Sequence, residues 1–104
     1  MNILFICSRN QWRSRTAEDL FKNNGYHGVR SAGTSASARV TKTLLRWADC
    51  LVFMERKHKQ NLLGKFRNEL KDKRFYVLEI PDLYSYMDPK LIDILTSHWK
   101  IIIS

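Results

Sequence analysis

The stretch Ile3-Leu4-Phe5-Ile6-Cys7-Ser8-Arg9-Asn10-Gln11-Trp12-Arg13-Ser14 decides how this chain is read. Its first four residues are an unbroken apolar run, the pattern of a strand buried on both faces, and the polar turn after Cys7 leads straight into a helix-forming segment. Cys7 stands at the hinge, Arg13 closes the turn after five intervening residues, and Ser14 sits at the helix start. A thiol, a guanidinium that can grip an anion through parallel hydrogen bonds, and free backbone N–H groups at a helix N-terminus suit a phosphate held there and attacked by sulfur.

Outward from this stretch, Ala17, Leu20 and Phe21 recur at helical spacing, and Asn23-Asn24-Gly25 is a stop signal, which predicts a helix over residues 14–24. A short strand is expected over 29–32, then a surface loop of small and polar residues over 33–38, flexible or facing a ligand. Val40, Leu44 and Trp47 predict a short helix over 40–48, and the apolar run 50–54 a central third strand. Leu62, Leu63, Phe66 and Leu70 imply helix on the basic background of 56–73, where Gly64 invites a break. Residues 74–80 read as a fourth strand ended by Pro81. Asp88 suits an N-cap with Pro89 at the first helical position, and Leu91, Ile92, Leu95, Trp99 and Ile102 then form one apolar stripe.

Alternating strand and helix without repeat or linker predicts a single α/β domain over residues 1–104. Its expected architecture is a three-layer sandwich, one four-stranded parallel sheet with helices on both faces. Ligands in such sheets bind beyond the carboxyl ends of strands. Cys7, Gly33, Glu55 and Asp82 all follow predicted strands and should gather along one edge.

Composition narrows the setting. The 104 residues carry two cysteines, too few for a disulfide scaffold, and Cys50 is expected buried in the sheet. No signal-peptide pattern and no apolar run near the roughly 20 residues of a membrane span are present, so a soluble, cytoplasmic protein without membrane attachment is expected. His27, His58 and His98 have no partner at metal-ligand spacing, and neither metal nor cofactor is expected. Of the net charge of +8, an excess of six lies in residues 56–74, which is either a solvated basic face or a site for an acidic partner.

Backbone donors and Arg13 would favour the Cys7 thiolate, and the same donors would receive the non-bridging oxygens of a phosphoryl group. Expelling an alkoxide or phenolate needs a proton. Asp82 is the candidate acid, with Leu83 and Tyr84 expected to shield it and keep it protonated. Asp88 is a competing carboxylate whose place before Pro89 points to capping. Trp12 and Tyr84 are expected to line a slot for an aromatic leaving group, and Tyr86 is read equally well as slot or packing.

These residues resemble the low-molecular-weight protein tyrosine phosphatases, whose signature is Cys, any residue, Gly, Asn, any residue, Cys, Arg, Ser, Pro. The similarity continues through Ala17-Glu18, Ser31-Ala32-Gly33-Thr34, Ala48-Asp49, Met54-Glu55 and Ile80-Pro81-Asp82-Leu83-Tyr84, nearly the whole chain. The resemblance implies a phosphatase I-like sheet of order 2-1-3-4 and a phosphate-binding loop of Ser8, Arg9, Asn10, Gln11, Trp12, Arg13 and Ser14. It implies a nucleophile at Cys7, a phosphate clamp at Arg13, a thiolate-steadying hydroxyl at Ser14 and a general acid at Asp82. It also gives Asn10 the loop's unusual backbone conformation, with Ser31 in its hydrogen-bond network.

Several positions depart from the pattern. The segment between Thr34 and Ala48 is shorter, as in a compact bacterial branch. Arg9 replaces the glycine, Arg15 the proline and Leu83 the proline after the acid, while Gln11 stands where relatives favouring phosphotyrosine carry Ile and those favouring phosphoarginine carry Thr. Trp12 replaces a cysteine that in relatives can trap the oxidised nucleophile, and no pair suits an arsenate-reductase relay.

The expected function is thus a protein tyrosine phosphatase that hydrolyses phosphomonoesters through a phosphocysteine intermediate. A phosphorylated protein or small aryl phosphate would be its substrate, and phosphate, sulfate or vanadate would bind the loop. The alternatives are a phosphate-binding regulatory module with little turnover and, less favoured, a basic nucleic-acid-associated protein.

Overall fold

Successive residues of a strand face opposite sides of a sheet, and the first strand has apolar side chains on both. Ile3, Phe5 and Cys7 enter one buried cluster, Leu4 and Ile6 a second. The structure, a computed structural model, describes residues 1–35 and 39–104. Its elements are β1 (Asn2–Cys7), α1 (Arg13–Phe21), β2 (Gly28–Gly33), α2 (Lys42–Trp47), β3 (Cys50–Phe53), α3 (Arg56–Lys65), β4 (Arg74–Val77) and α4 (Pro89–Ile102). All strand pairs are parallel, in the order β2-β1-β3-β4, so the expected α/β architecture and strand order are those observed.

Helices cover both faces. Ala17 of α1 and Leu91, Leu95 and Ile102 of α4 pack with Ile3, Phe5, Cys7 and Val52, and Phe21 stacks on Trp99 with ring centroids 4.2 Å apart. Leu45 of α2 and Leu62 of α3 pack with Leu4, Ile6, Leu51 and Phe53 on the other side. No helix among the described residues is long and apolar enough to cross a membrane.

Boundaries differ where side chains or backbone shape intervene. α1 stops at Phe21 rather than residue 24, because Asn24 builds the following turn. Its amide donates to the carbonyls of Phe21 and His27, and its oxygen accepts from the N–H groups of Tyr26 and His27. Gly64 does not break α3: it faces open space, and the helix runs to Lys65 before a series of turns. Regular pairing of β4 ends at Val77, and Glu79 has a positive φ of 56°. Leu78 and Ile80 nevertheless still donate to the carbonyls of Phe53 and Met54, which carries the chain along β3 to Ile80. Asp88 caps α4 by accepting the Lys90 N–H at 2.8 Å. The expected loop over 33–38 is described only to Ser35, its remainder lying outside the described residues.

Leu51 is fully buried in β3. Leu51→Ala should destabilise the protein by about 2–5 kcal/mol in urea or thermal unfolding, and a loss under about 1 kcal/mol would contradict the two-sided core.

Candidate active site

β1 ends at Cys7, and the turn to α1 is bent around its sulfur. Asn10 sits in the left-handed region with φ 55°, a conformation Asn tolerates better than most residues. This aims its N–H at Cys7 Sγ, 3.2 Å away. Ser14, in the first turn of α1, places Oγ 2.9 Å from the same sulfur and 2.7 Å from Asn10 Oδ1. One hydroxyl proton serves only one acceptor. With a thiol, Cys7 donates to Ser14 and Ser14 to Asn10; with a thiolate, the Ser14 proton turns to sulfur.

The loop is braced from β2. A Cβ on Gly33 would lie 2.5 Å from the Ser8 carbonyl oxygen and 3.0 Å from the Arg9 carbonyl carbon, so only glycine lets these backbones approach. Thr34 and Ser35 donate backbone N–H groups to the carbonyls of Cys7 and Ser8. Ser31, expected in the Asn10 network, instead donates to Glu18 of α1 and so ties β2 to the helix.

Arg13 is only 2 % exposed, and the charge it carries inward is matched. Its Nη1 donates to Glu55 Oε1 and, at 2.9 Å, to the Ile80 carbonyl, while Nε lies 3.7 Å from Asp82 Oδ1. Among the described residues no protein acceptor takes Nη2. Burial pushes the Glu55 carboxyl up, but the Arg13 hydrogen bond and charge, with Lys57 and His58, outweigh it and hold it below the usual glutamate value.

Cys7, Ser8, Arg9, Gln11, Trp12, Arg13 and Asp82 line one cavity of about 310 Å³. The sheet edge therefore brings together the sequence-predicted thiol, guanidinium and carboxylate. Trp12 is 47 % exposed at this cavity. Tyr84 is not there: it packs, partly buried, against the apolar cluster between the sheet, α1 and α4, which takes apolar ring surface out of water. Nor is Asp82 shielded, since its side chain is 56 % exposed and Leu83 is 78 % exposed. Tyr86 donates to Asp19 of α1 and, with Trp12 and Arg15, borders a neighbouring open groove. That hydrogen bond holds the Asp19 carboxyl low and the Tyr86 phenol high.

His58 escaped the sequence reading, which weighed it only as a metal ligand. It is 1 % exposed in the first turn of α3. The His58 backbone N–H donates to the Glu55 carbonyl oxygen at 3.1 Å, while the Glu55 backbone N–H donates to His58 Nδ1 at 3.1 Å. His58 Nε2 then lies 2.9 Å from Ser8 Oγ. The spacing Glu55-x-x-His58 before the apolar pair Leu62-Leu63 is a capping-box signal with unusual residue types.

Cys50 lies opposite Ile3, so Cys7 is four residues further along the neighbouring strand, roughly 13 Å away. Burial, the largest influence, pushes the Cys50 thiol up to about 11.

No family model matches this sequence, and a search of curated proteins finds no match. Solved structures do: the chain has the fold of the low-molecular-weight protein tyrosine phosphatases. It is similar to the tyrosine phosphatase Wzb from Escherichia coli K30 in complex with phosphate, at TM-score 0.78 and 21% identity over 96% of this chain and 94% of that one. It is also similar to a low-molecular-weight protein tyrosine phosphatase from Bacillus subtilis (0.73, 23%, 96% and 95%) and to the YwlE arginine phosphatase from Geobacillus stearothermophilus (0.67, 22%, 96% and 93%). At these identities the likeness establishes the fold.

Burial first, then the Arg13 charge, holds the His58 pKa down at about 4, against 6.5 for a free imidazole, with Glu55 and Asp82 pulling the other way. Between those values the unfolded chain binds a proton that the folded chain does not. Stability is therefore fully present above pH 6.5 and falls as pH drops towards about 4. Urea unfolding should show lower stability at about pH 5 than at about pH 7, with a smaller difference in His58→Gln. An unchanged difference in that variant would contradict this role for His58.

Proposed function

We propose that this protein is a cysteine-dependent phosphatase of the tyrosine-phosphatase type, acting on phosphomonoesters through a phosphocysteine intermediate. The observation that carries the reading is that Cys7 and Arg13, at the two ends of the turn between β1 and α1, and Asp82, from the distant segment after β4, line one cavity. The fold shared with tyrosine and arginine phosphatases supports it, as does the Trp12 face at the cavity, which suits an aryl group.

In this mechanism the backbone N–H groups of the loop and the unpaired side of Arg13 receive the non-bridging phosphoryl oxygens. Ser14 and the Asn10 N–H stabilise the Cys7 thiolate, which attacks phosphorus in line. An S–P bond forms as the P–O bond to the leaving group breaks, and Asp82 gives its proton to the departing oxygen. The Asp82 carboxylate next takes a proton from water, whose oxygen attacks phosphorus. The S–P bond breaks, phosphate leaves, and the thiolate and protonated Asp82 are restored.

Purified protein should hydrolyse an aryl phosphate, with vanadate inhibiting and Cys7→Ser reducing turnover to background. Asp82→Ala should lower kcat by about 10²–10⁴, whereas Asp88→Ala should lose about 1 kcal/mol of stability and little activity. A large loss of activity in Asp88→Ala with little in Asp82→Ala would reverse the assignment. Phosphotyrosine and phosphoarginine peptides compared side by side would define the preferred leaving group.

The distance to Cys50 and its raised pKa leave an oxidised Cys7 without a thiol to trap it. Prolonged peroxide treatment should abolish activity in a form that dithiothreitol does not restore, and near-complete recovery would contradict this.

A further inference from the structure

The Ser8 side chain has a defined hydrogen-bond polarity. His58 Nδ1 accepts the Glu55 backbone N–H, so a neutral ring carries its one proton on Nε2, which faces Ser8 Oγ at 2.9 Å. A ring N–H donates, and Ser8 Oγ must therefore accept. The Ser8 hydroxyl has one proton of its own and no other protein partner for it among the described residues, and Ser8 lines the Cys7 cavity. Accepting one hydrogen bond also strengthens a hydroxyl as a donor. The cavity thus holds a donor whose direction is set before any ligand arrives, the property that makes a polar group effective toward developing negative charge.

The same residue controls both sides of this arrangement. Glu55 pairs with Arg13 through its side chain, accepts the His58 N–H at its carbonyl oxygen, and directs the imidazole through its own backbone N–H. An Nδ1–H ring would point a donor at that N–H, so the alternative tautomer is disfavoured by contact.

We propose that Ser8 donates a side-chain hydrogen bond to an oxygen of the bound phosphoryl group, and that His58 is the positioning residue that commits the Ser8 hydroxyl to donating. This rests on the phosphoryl-site reading above. It adds a contact from a side chain to those from the loop backbone and Arg13.

Orthovanadate affinity by calorimetry and kcat/KM for an aryl phosphate test it together. Ser8→Ala should lose roughly 3–10-fold in both, and Ser8→Thr should restore most of the loss. His58→Phe should cause a similar loss when Ser8 is present and almost none beyond it in Ser8→Ala. His58→Gln, which can still accept from Glu55 and donate to Ser8, should stay near wild type. Ring nitrogen shifts should show the Nε2–H tautomer. The inference is overturned by Ser8→Ala within twofold of wild type in both measurements, by an equal His58→Phe loss with and without the Ser8 hydroxyl, or by an Nδ1–H ring. Wild-type protein that neither binds vanadate nor turns over would overturn the phosphoryl-site reading as well. Normal wild-type behaviour with an indifferent Ser8→Ala overturns this inference alone, and the Ser8 variants decide it even if His58→Phe fails to fold.

Discussion

The buried guanidinium of Arg13 is the constraint on which the site depends. A charge removed from water destabilises a fold unless partners surround it. Here the partners come from Glu55 after β3, the Ile80 carbonyl after β4 and Asp82 beyond it, while Arg13 itself follows β1. The segments after β3 and β4 are thereby drawn onto one side chain that follows β1. The order β2-β1-β3-β4 makes this possible, because β1 and β3 are neighbours and β4 is one strand further on.

Glu55 extends that constraint into the rest of the site. As it meets the Arg13 charge, it also caps α3 and fixes the imidazole of His58. Gly33 acts from the other side, where its missing side chain lets β2 press on the Ser8 and Arg9 backbone. The loop is held between a charge pair and a close backbone contact, and its strained residue, Asn10, uses its geometry to present an N–H to the Cys7 sulfur.

Features carried by local pattern were legible in the sequence. The apolar alternation of β1 and the cap at Asp88 needed only neighbours in the chain, and the Cys7-to-Ser14 spacing needed only a strand followed by a helix. What escaped depended on contacts between distant segments. His58 looks isolated in the sequence because Ser8 is fifty positions away, and nothing local shows that Ser31 hydrogen-bonds Glu18 of α1 rather than joining the Asn10 network. The place of Tyr84 just after Asp82 suggests a site residue, yet the side chain packs against the core. Gly64 looked like a break, but a solvent-facing glycine costs a helix only about 1 kcal/mol, and flanking residues such as Leu62 hold it in the core.

The central claim is that the Cys7 sulfur takes the phosphoryl group. Rapid quenching of the Asp82→Ala protein with an aryl phosphate, followed by peptide mapping, tests it directly, because this variant should hydrolyse the intermediate slowly. The account predicts a phosphoryl group on the sulfur of Cys7, formed and consumed at rates that match turnover. Turnover with the phosphoryl group on another residue, or with no covalent intermediate at Cys7, would contradict it.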